Sequence, residues 1–541
     1  MIHTLEKHPY TFVILCWALM VLPSLGIAPL FDYDETIYAQ TALDMLHQHQ
    51  WVIPTANGMQ FFEKPPFTYY MMDFAFVIFG ENAFAARLPS AVFTLFTMLL
   101  LYRFGSKMHS RNFGLAAAGI YLSMFEVGFL AHAAILDPVL NFFIASALLY
   151  YLQWQQSTRR KDAVWVAAMC GAAVAIKGPV GAVIPGMVII IDALWNKNLP
   201  GLLRNIPWLA CLPVFLITAM PWYLLIMIAN GPAFLYEFIW VHNIERALHP
   251  MQGHGGGWHY YLIVFAVSVL PWLAWIPAAI QRGWHAFGDD FLSRISRIGL
   301  IWALLVIVLF SFAQTKLPHY ISSIYPGVAL LLAASLLQQK QAQRGKLIFT
   351  SVLLLPVALL LIFFPALYEY AGHFIHHPRA IAIIQQDIHP SAWIAISGLA
   401  LLISLLWIWR QHSQTIHRVW RLILLGFVLQ LSVLIALGSF AGLLMQAPQM
   451  QIAATLRMLP KHVPVYSYQL NAPSISFYSG RNFTLVSELP DAQLDDSTQT
   501  YALFLRSENK PRLPILETTQ PVIDQGGFLL YLLHPSASLL P

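Results

Sequence analysis

Apolar runs of bilayer-crossing length recur along the chain, separated by short polar breaks. A membrane-spanning helix needs about 20 apolar residues. The pattern predicts thirteen spans, near 10–30, 83–102, 113–132, 135–153, 163–177, 179–195, 206–229, 259–280, 298–314, 319–337, 347–366, 392–409 and 419–445. The fifth and sixth are short and are parted only by Lys177, Gly178 and Pro179. "SLG" at 24–26 has the small residues of a cleavage site, but Pro23 and Pro29 flank it and many spans follow, so an uncleaved first span is expected. The first long break, 31–82, has a pattern of its own. "DETIYAQTALDMLHQHQ" sets Ile37, Ala39, Ala42, Leu43 and Leu46 at near-helical spacing, which predicts an amphipathic helix on the membrane surface. "PTANG" reads as a turn, and "PPFTYYMMDFAFVIFG" as a second interfacial helix with proline near its start. After residue 445 the chain is richer in Asp, Ser, Pro and Gln, and "VPVYSY", "SISFYS", "YALFLR" and "FLLYLL" read as strands bounded by Pro, Asn and Gly. The expected fold is therefore an α-helical polytopic membrane domain over 1–445, followed by a small mixed α/β domain over 446–541 with no evident catalytic motif.

Composition supports that reading and adds orientation. Hydrophobic residues make up 58% of the 541 and charged residues 10%, against about 25% charged in soluble domains. So little charge cannot cover a chain this long with polar surface, and its main solvent is lipid. The net charge of +5 is no nucleic-acid signal, because Lys and Arg are scattered between apolar runs. Cys16, Cys170 and Cys211 each lie inside an apolar run and lack metal spacing. With the N-terminus in the cytoplasm, eighteen of the 30 Lys and Arg residues fall in inner breaks. Six (Lys64, Arg87, Lys177, Arg246, Lys316 and Arg379) fall in outer breaks, and the rest lie in the tail. Every inner break is then basic, as the positive-inside rule requires, and the tail lies outside.

This topology gathers the chemistry on one side. Asp34, Glu35, Glu63, Lys64, Asp137, Lys177, Arg246 and Lys316 all reach the outer face, from several different breaks or span ends. Charges at the lipid edge are costly unless paired or used, and this set suits an anionic lipid headgroup and a reacting sugar. Each residue also has a plainer role. Asp34 and Asp137 suit helix N-termini, Glu63 and Lys64 suit a solvated pair, and Lys177, Arg246 and Lys316 suit snorkelling anchors. The clustering favours function over any one residue. His242, His249, His254 and His259 crowd one outer break without established metal spacing; with Glu63 they could hold a divalent cation. No Walker motif, HExxH or G-x-S-x-G occurs, so nucleotide binding is not suggested.

The stretches "YDETIYAQ", "WVIPTANGMQFFEKPPFTYY", "ILDPVLNF", "IKGPVGAVIP", "WVHNIERAL" with "GHGGGWHYY", and "TKLPHYISSIYP" run in order from about 33 to 326. As a set they resemble the GT-C superfamily of membrane glycosyltransferases that use polyprenyl-phosphate sugars. The resemblance is to the bacterial branch containing the 4-amino-4-deoxy-L-arabinose lipid A transferase, which is related to protein mannosyltransferases. It implies Asp34 and Asp137 as the catalytic carboxylates. Lys64 and Arg246 become contacts to the polyprenyl phosphate, with Glu35, Lys177, Lys316 and Tyr320 lining the substrate cavity. It also implies Glu63 as a metal contact, with His242 its candidate partner. The family's histidine three residues before the arginine is Asn243 here, with His242 beside it, as the place also reads in many relatives. The implied activity is inverting transfer from an undecaprenyl-phosphate-linked donor to lipid A, at the periplasmic face of the bacterial inner membrane and without a nucleotide cofactor. A protein or polysaccharide acceptor is the alternative within this chemistry. A lipid or solute transporter is the alternative of another class, but transporters place charge near the bilayer midplane and often repeat; here charge sits at the outer ends without a clear repeat.

Overall fold

The computed structural model describes residues 8–232, 234, 236–245, 248, 255–338, 344–410, 415–487, 500–513, 516–517 and 519–533. Among them, five helices are long and apolar enough to cross a membrane: Ala83–Met108, Phe291–Phe312, Pro318–Leu336, Arg344–Ala371 and Ile416–Met458. Three bent pairs raise this to eight if each is one span: Arg111–Ser123 with Phe125–Ala131, Leu199–Asn205 with Trp208–Ala219, and Tyr260–Ser268 with Trp272–Trp284. The bends, of 73°, 77° and 107°, fall in or beside the third, seventh and eighth runs of the sequence pattern. Pro207 and Pro271 stand at the second and third breaks, where each lacks the N–H that would continue the helix. Shorter apolar helices, among them Pro9–Ser24, Val180–Trp195 and Ala392–Ile408, occupy further runs. Large apolar side chains such as Leu209, Ile228 and Phe312 point outward, as lipid-solvated helices require. Inside, small residues allow close crossings. A Cβ added at Gly105 would meet the Gly114 backbone at 2.8 Å, so the helices Ala83–Met108 and Arg111–Ser123 touch through glycine.

The first long break folds against this body. The helix Asp34–Gln48 is buried without interruption from Glu35 to Met45. It is thus covered by protein on all faces over these residues, where its amphipathic spacing predicts one exposed face. The reason is that the tail packs on the side the pattern would have left to water. Thr55–Ala56 (β1) and Met59–Gln60 (β2) form a hairpin whose turn residues Asn57 and Gly58 both have positive φ, 54° and 77°, the pairing that an Asn-Gly turn favours. The helix Phe67–Phe79 buries Tyr69, Met72 and Phe76 and exposes Phe74, Val77 and Ile78, as an interfacial helix does.

The tail grows from the last membrane helix. That helix runs unbroken from Ile416 to Met458, and its Ile452 and Leu456 enter the core of the following sheet. The sheet is mixed and five-stranded, in the order β4 (Thr484–Val486), β3 (Val465–Tyr468), β5 (Tyr501–Arg506), β7 (Phe528–Leu533) and β6 (Ile523–Gln525). β3 is parallel to both its neighbours, and the remaining pairs are antiparallel. "SISFYS" reads as a strand by alternation but forms the helix Pro473–Ser479. Proline at its first position suits a helix start. Ile475 enters the sheet's core while Phe477 joins the core of the membrane body, so two-sided burial overrides the alternation.

Candidate active site

Three helix ends carry the central charges. Asp34 and Asp137 open the helices Asp34–Gln48 and Asp137–Ser157, where the helix dipole favours a carboxylate. Lys177 closes the helix Arg160–Lys177, where it favours a cation. Gly178 then turns the chain back at φ +72°, and a Cβ there would lie 3.0 Å from the Phe238 ring. This turn places Lys177 beside Asp137: Nζ donates to Oδ1 at 2.7 Å, with both side chains largely buried. His319 Nε2 stands 3.9 Å from the other carboxylate oxygen. The Lys177 ammonium also lies 5.2 Å from the centre of the Tyr320 ring, a cation–π distance.

Around this pair is a cavity of about 200 Å³, lined by Glu63, Lys64, Asp137, Lys177, Phe238 and Tyr320, among others, with Thr315, Ser322 and Ser323 adding hydroxyls. Asp34 is exposed and has no hydrogen-bond or ion-pair partner among the described residues. It still shares one electrostatic neighbourhood with the cavity: His319 feels Asp137, Lys177, Asp34 and Lys64, and Tyr38 feels Asp34, Glu63 and Asp137. Asp137, with its partner Lys177, thus stands beside His319, a residue outside the expected site set. Its signal was there, since His319, Ser322 and Ser323 interrupt an apolar segment and the turn Pro318–Ile324 carries them to the cavity.

The structure gives two of the expected substrate contacts, Glu35 and Lys316, partners within the protein. The Glu35 carboxylate is buried and fully used. Its Oε1 accepts Arg87 Nε at 2.8 Å and the Ala134 N–H at 2.7 Å; its Oε2 accepts Arg87 Nη2 at 2.8 Å and the Phe31 N–H at 3.0 Å. Burial pushes this carboxyl up, and the Arg87 charge with these hydrogen bonds outweighs it and holds the carboxyl below its ordinary range. Arg87 spends its remaining N–H groups on the carbonyls of Leu25, Ala28 and Pro29. Glu35 therefore anchors the Asp34 helix. Lys316 is likewise committed: Nζ donates to the carbonyls of Ser311 (2.8 Å) and Ala313 at the end of the helix Phe291–Phe312, 5.8 Å from the centre of the Tyr261 ring. Arg246 and the His242 side chain lie outside the described residues. Among the described residues no three His, Cys, Asp or Glu side chains gather as metal ligands.

The stretch 63–225, which supplies Glu63, Lys64, Asp137 and Lys177, matches the family Dolichyl-phosphate-mannose-protein mannosyltransferase. An undecaprenyl phosphate-alpha-4-amino-4-deoxy-L-arabinose arabinosyl transferase of Shewanella sediminis is 29% identical over 398 residues, 72% of this chain and 71% of that protein. The enzyme of the same name from Serratia proteamaculans is 31% identical over 328 residues, 59% of this chain and 57% of that protein, so the aligned stretch spans little more than half of that relative. The crystal structure of ArnT from Cupriavidus metallidurans bound to undecaprenyl phosphate superposes with a TM-score of 0.83 at 20% identity, over 96% of this chain and 97% of that one. Its apo state gives 0.82 at 20% identity, with complete coverage of both chains.

The fold is that of the GT-C membrane glycosyltransferases. In sequence the chain is similar to polyprenyl-phosphate-sugar glycosyltransferases of the bacterial aminoarabinose branch, and it is an integral inner-membrane protein.

Proposed function

We propose that the protein transfers a sugar, with inversion, from an undecaprenyl-phosphate-linked donor to lipid A at the periplasmic face of the inner membrane. The observation that carries this reading is a cavity that gathers Lys64, Lys177 and Asp137, with Lys177 bonded to Asp137 at 2.7 Å; Asp34 opens a neighbouring helix and is exposed. Cleavage of the bond between the sugar's anomeric carbon and the phosphate oxygen leaves its electron pair on the phosphate. Lys64 and Lys177, with Arg246 from its own segment, offset that growing charge. The acceptor oxygen attacks the anomeric carbon from the opposite face. A hydroxyl acceptor gives its proton to Asp34; a lipid A phosphate has none to give, and Asp34 then orients the sugar or the acceptor. Asp137 holds Lys177 in place. Purified protein in lipid nanodiscs, given radiolabelled donor and lipid A, is expected to transfer label without moving donor between leaflets.

A protein acceptor is the second reading, supported by the mannosyltransferase family match over 63–225. Mass spectrometry of lipid A and of envelope glycoproteins from a deletion strain separates the two. A divalent cation on Glu63 and His242 remains a further proposal. Chelation tests it: turnover lost and restored by Mg²⁺ supports the ion, and unchanged turnover removes it. The sheet domain after 445 is proposed to be periplasmic on the charge topology, and cysteine labelling from outside intact spheroplasts tests this.

A further inference from the structure

Asp32, Asp34 and Glu35 are close neighbours in sequence, yet each meets a different fate. Glu35 is locked to Arg87 in the membrane body, and Asp34 is open. Asp32 is held by the tail: its Oδ1 accepts the Ser474 N–H at 2.9 Å and its Oδ2 accepts the Ser474 hydroxyl. Oδ1 also accepts the Thr36 hydroxyl at 2.5 Å. Ser474 lies in the first turn of the helix Pro473–Ser479, so a side chain distant in sequence satisfies an otherwise unpaired N–H of that turn. The contact does not stand alone. The Leu30 N–H donates to the Tyr478 hydroxyl at 2.8 Å, and the Phe76 and Phe477 rings lie 5.9 Å apart. At the far end, Asn57 bonds both backbone groups of Phe483 and accepts from Ser476.

We infer that Ser474 and Asp32 are positioning residues for sugar transfer: the tail clamps the start of the Asp34 helix from one side while Arg87 clamps it from the other. Only a fixed helix start keeps the open Asp34 carboxylate aimed at the acceptor, and displacement of a reacting group by about 1 Å costs up to ~100-fold in rate. The tail is then part of the catalytic apparatus while lending no group to the chemistry. The inference rests on Asp34 being the residue that meets the acceptor.

Kinetics of the full-length protein in nanodiscs test it. Ser474→Ala removes only the hydroxyl bond, and Asp32→Ala removes both bonds between Asp32 and Ser474. Each is expected to lower kcat, Asp32→Ala by about 10- to 100-fold and Ser474→Ala by less, with donor KM unchanged because the cavity is untouched. Ser474→Thr, which keeps the hydroxyl, is expected to restore kcat. Asn57→Gly removes the bonds to Phe483 and Ser476, loosening the same domain away from Asp34, and is expected to leave kcat within about twofold because the Asp32–Ser474 bonds remain. Wild-type kcat in both clamp variants, with folding shown by gel filtration, overturns the inference. So does an equal loss in Asn57→Gly, which marks general loosening. Full activity of Asp34→Asn is a separate outcome, because it removes the underlying catalytic reading.

Discussion

Asp73 carries a cost that the catalytic residues avoid. It lies on the helix Phe67–Phe79, with both carboxylate oxygens buried and without a hydrogen-bond partner among the described residues. Burial pushes its carboxyl up to about 8. The unfolded chain loses this proton near pH 4, whereas the folded protein retains it until about 8. Stability attributable to Asp73 is therefore full at low pH and falls between those limits, by up to about 1.4 kcal/mol per pH unit. Asp73→Asn should remove that slope, so its melting temperature in detergent should overtake wild type as pH rises toward 8; a constant gap would contradict this. Glu35 has the opposite sign. Its folded carboxyl is held below the ordinary range, so its stabilisation is present at neutral pH and lost as pH falls through that lowered range. Breaking a buried, fully bonded pair costs about 3–5 kcal/mol. Arg87→Ala or Glu35→Ala should therefore melt well below wild type, while an unshifted transition would make the pair incidental.

At the scale of elements, the turn at Gly178 decides whether Lys177 meets Asp137. Gly178→Ala must accept a left-handed φ of +72° and a Cβ 3.0 Å from Phe238, a change that destabilises by more than about 1 kcal/mol. It should weaken donor binding more than it slows bound donor, read as a raised KM. This break was legible in the sequence, because Gly and Pro follow a lysine between two apolar runs. The Asn-Gly turn and the helix at Phe67–Phe79 were legible for the same reason, since local chemistry decided them. The burial of the Asp34 helix on all faces and the helical form of 474–479 both went unread in the sequence. These two segments pack against each other through Asp32 and Ser474, residues far apart in the chain, and no local pattern encodes that meeting. Glu35 misled for a related reason: an outer-face carboxylate looks the same whether it faces substrate or Arg87.

Across the whole molecule, the fold class could be read from lipid-compatible composition, and the ordered motifs led to the GT-C resemblance. Apolar length alone could not count the spans, because several helices bend or run short. His319 was missed because a histidine in an apolar segment carries no label until Asp137 and Lys177 arrive from other helices. The central claim is that Asp34 meets the acceptor while Lys64 and Lys177, in the cavity, offset the charge of the donor phosphate. Turnover and donor binding of Asp34→Asn and Lys64→Ala, measured in nanodiscs with radiolabelled undecaprenyl-phosphate-linked sugar, test it most directly. Asp34→Asn should bind donor normally and lose about 100-fold or more in kcat, whereas Lys64→Ala should lose both binding and rate. Normal transfer by either variant would contradict the account.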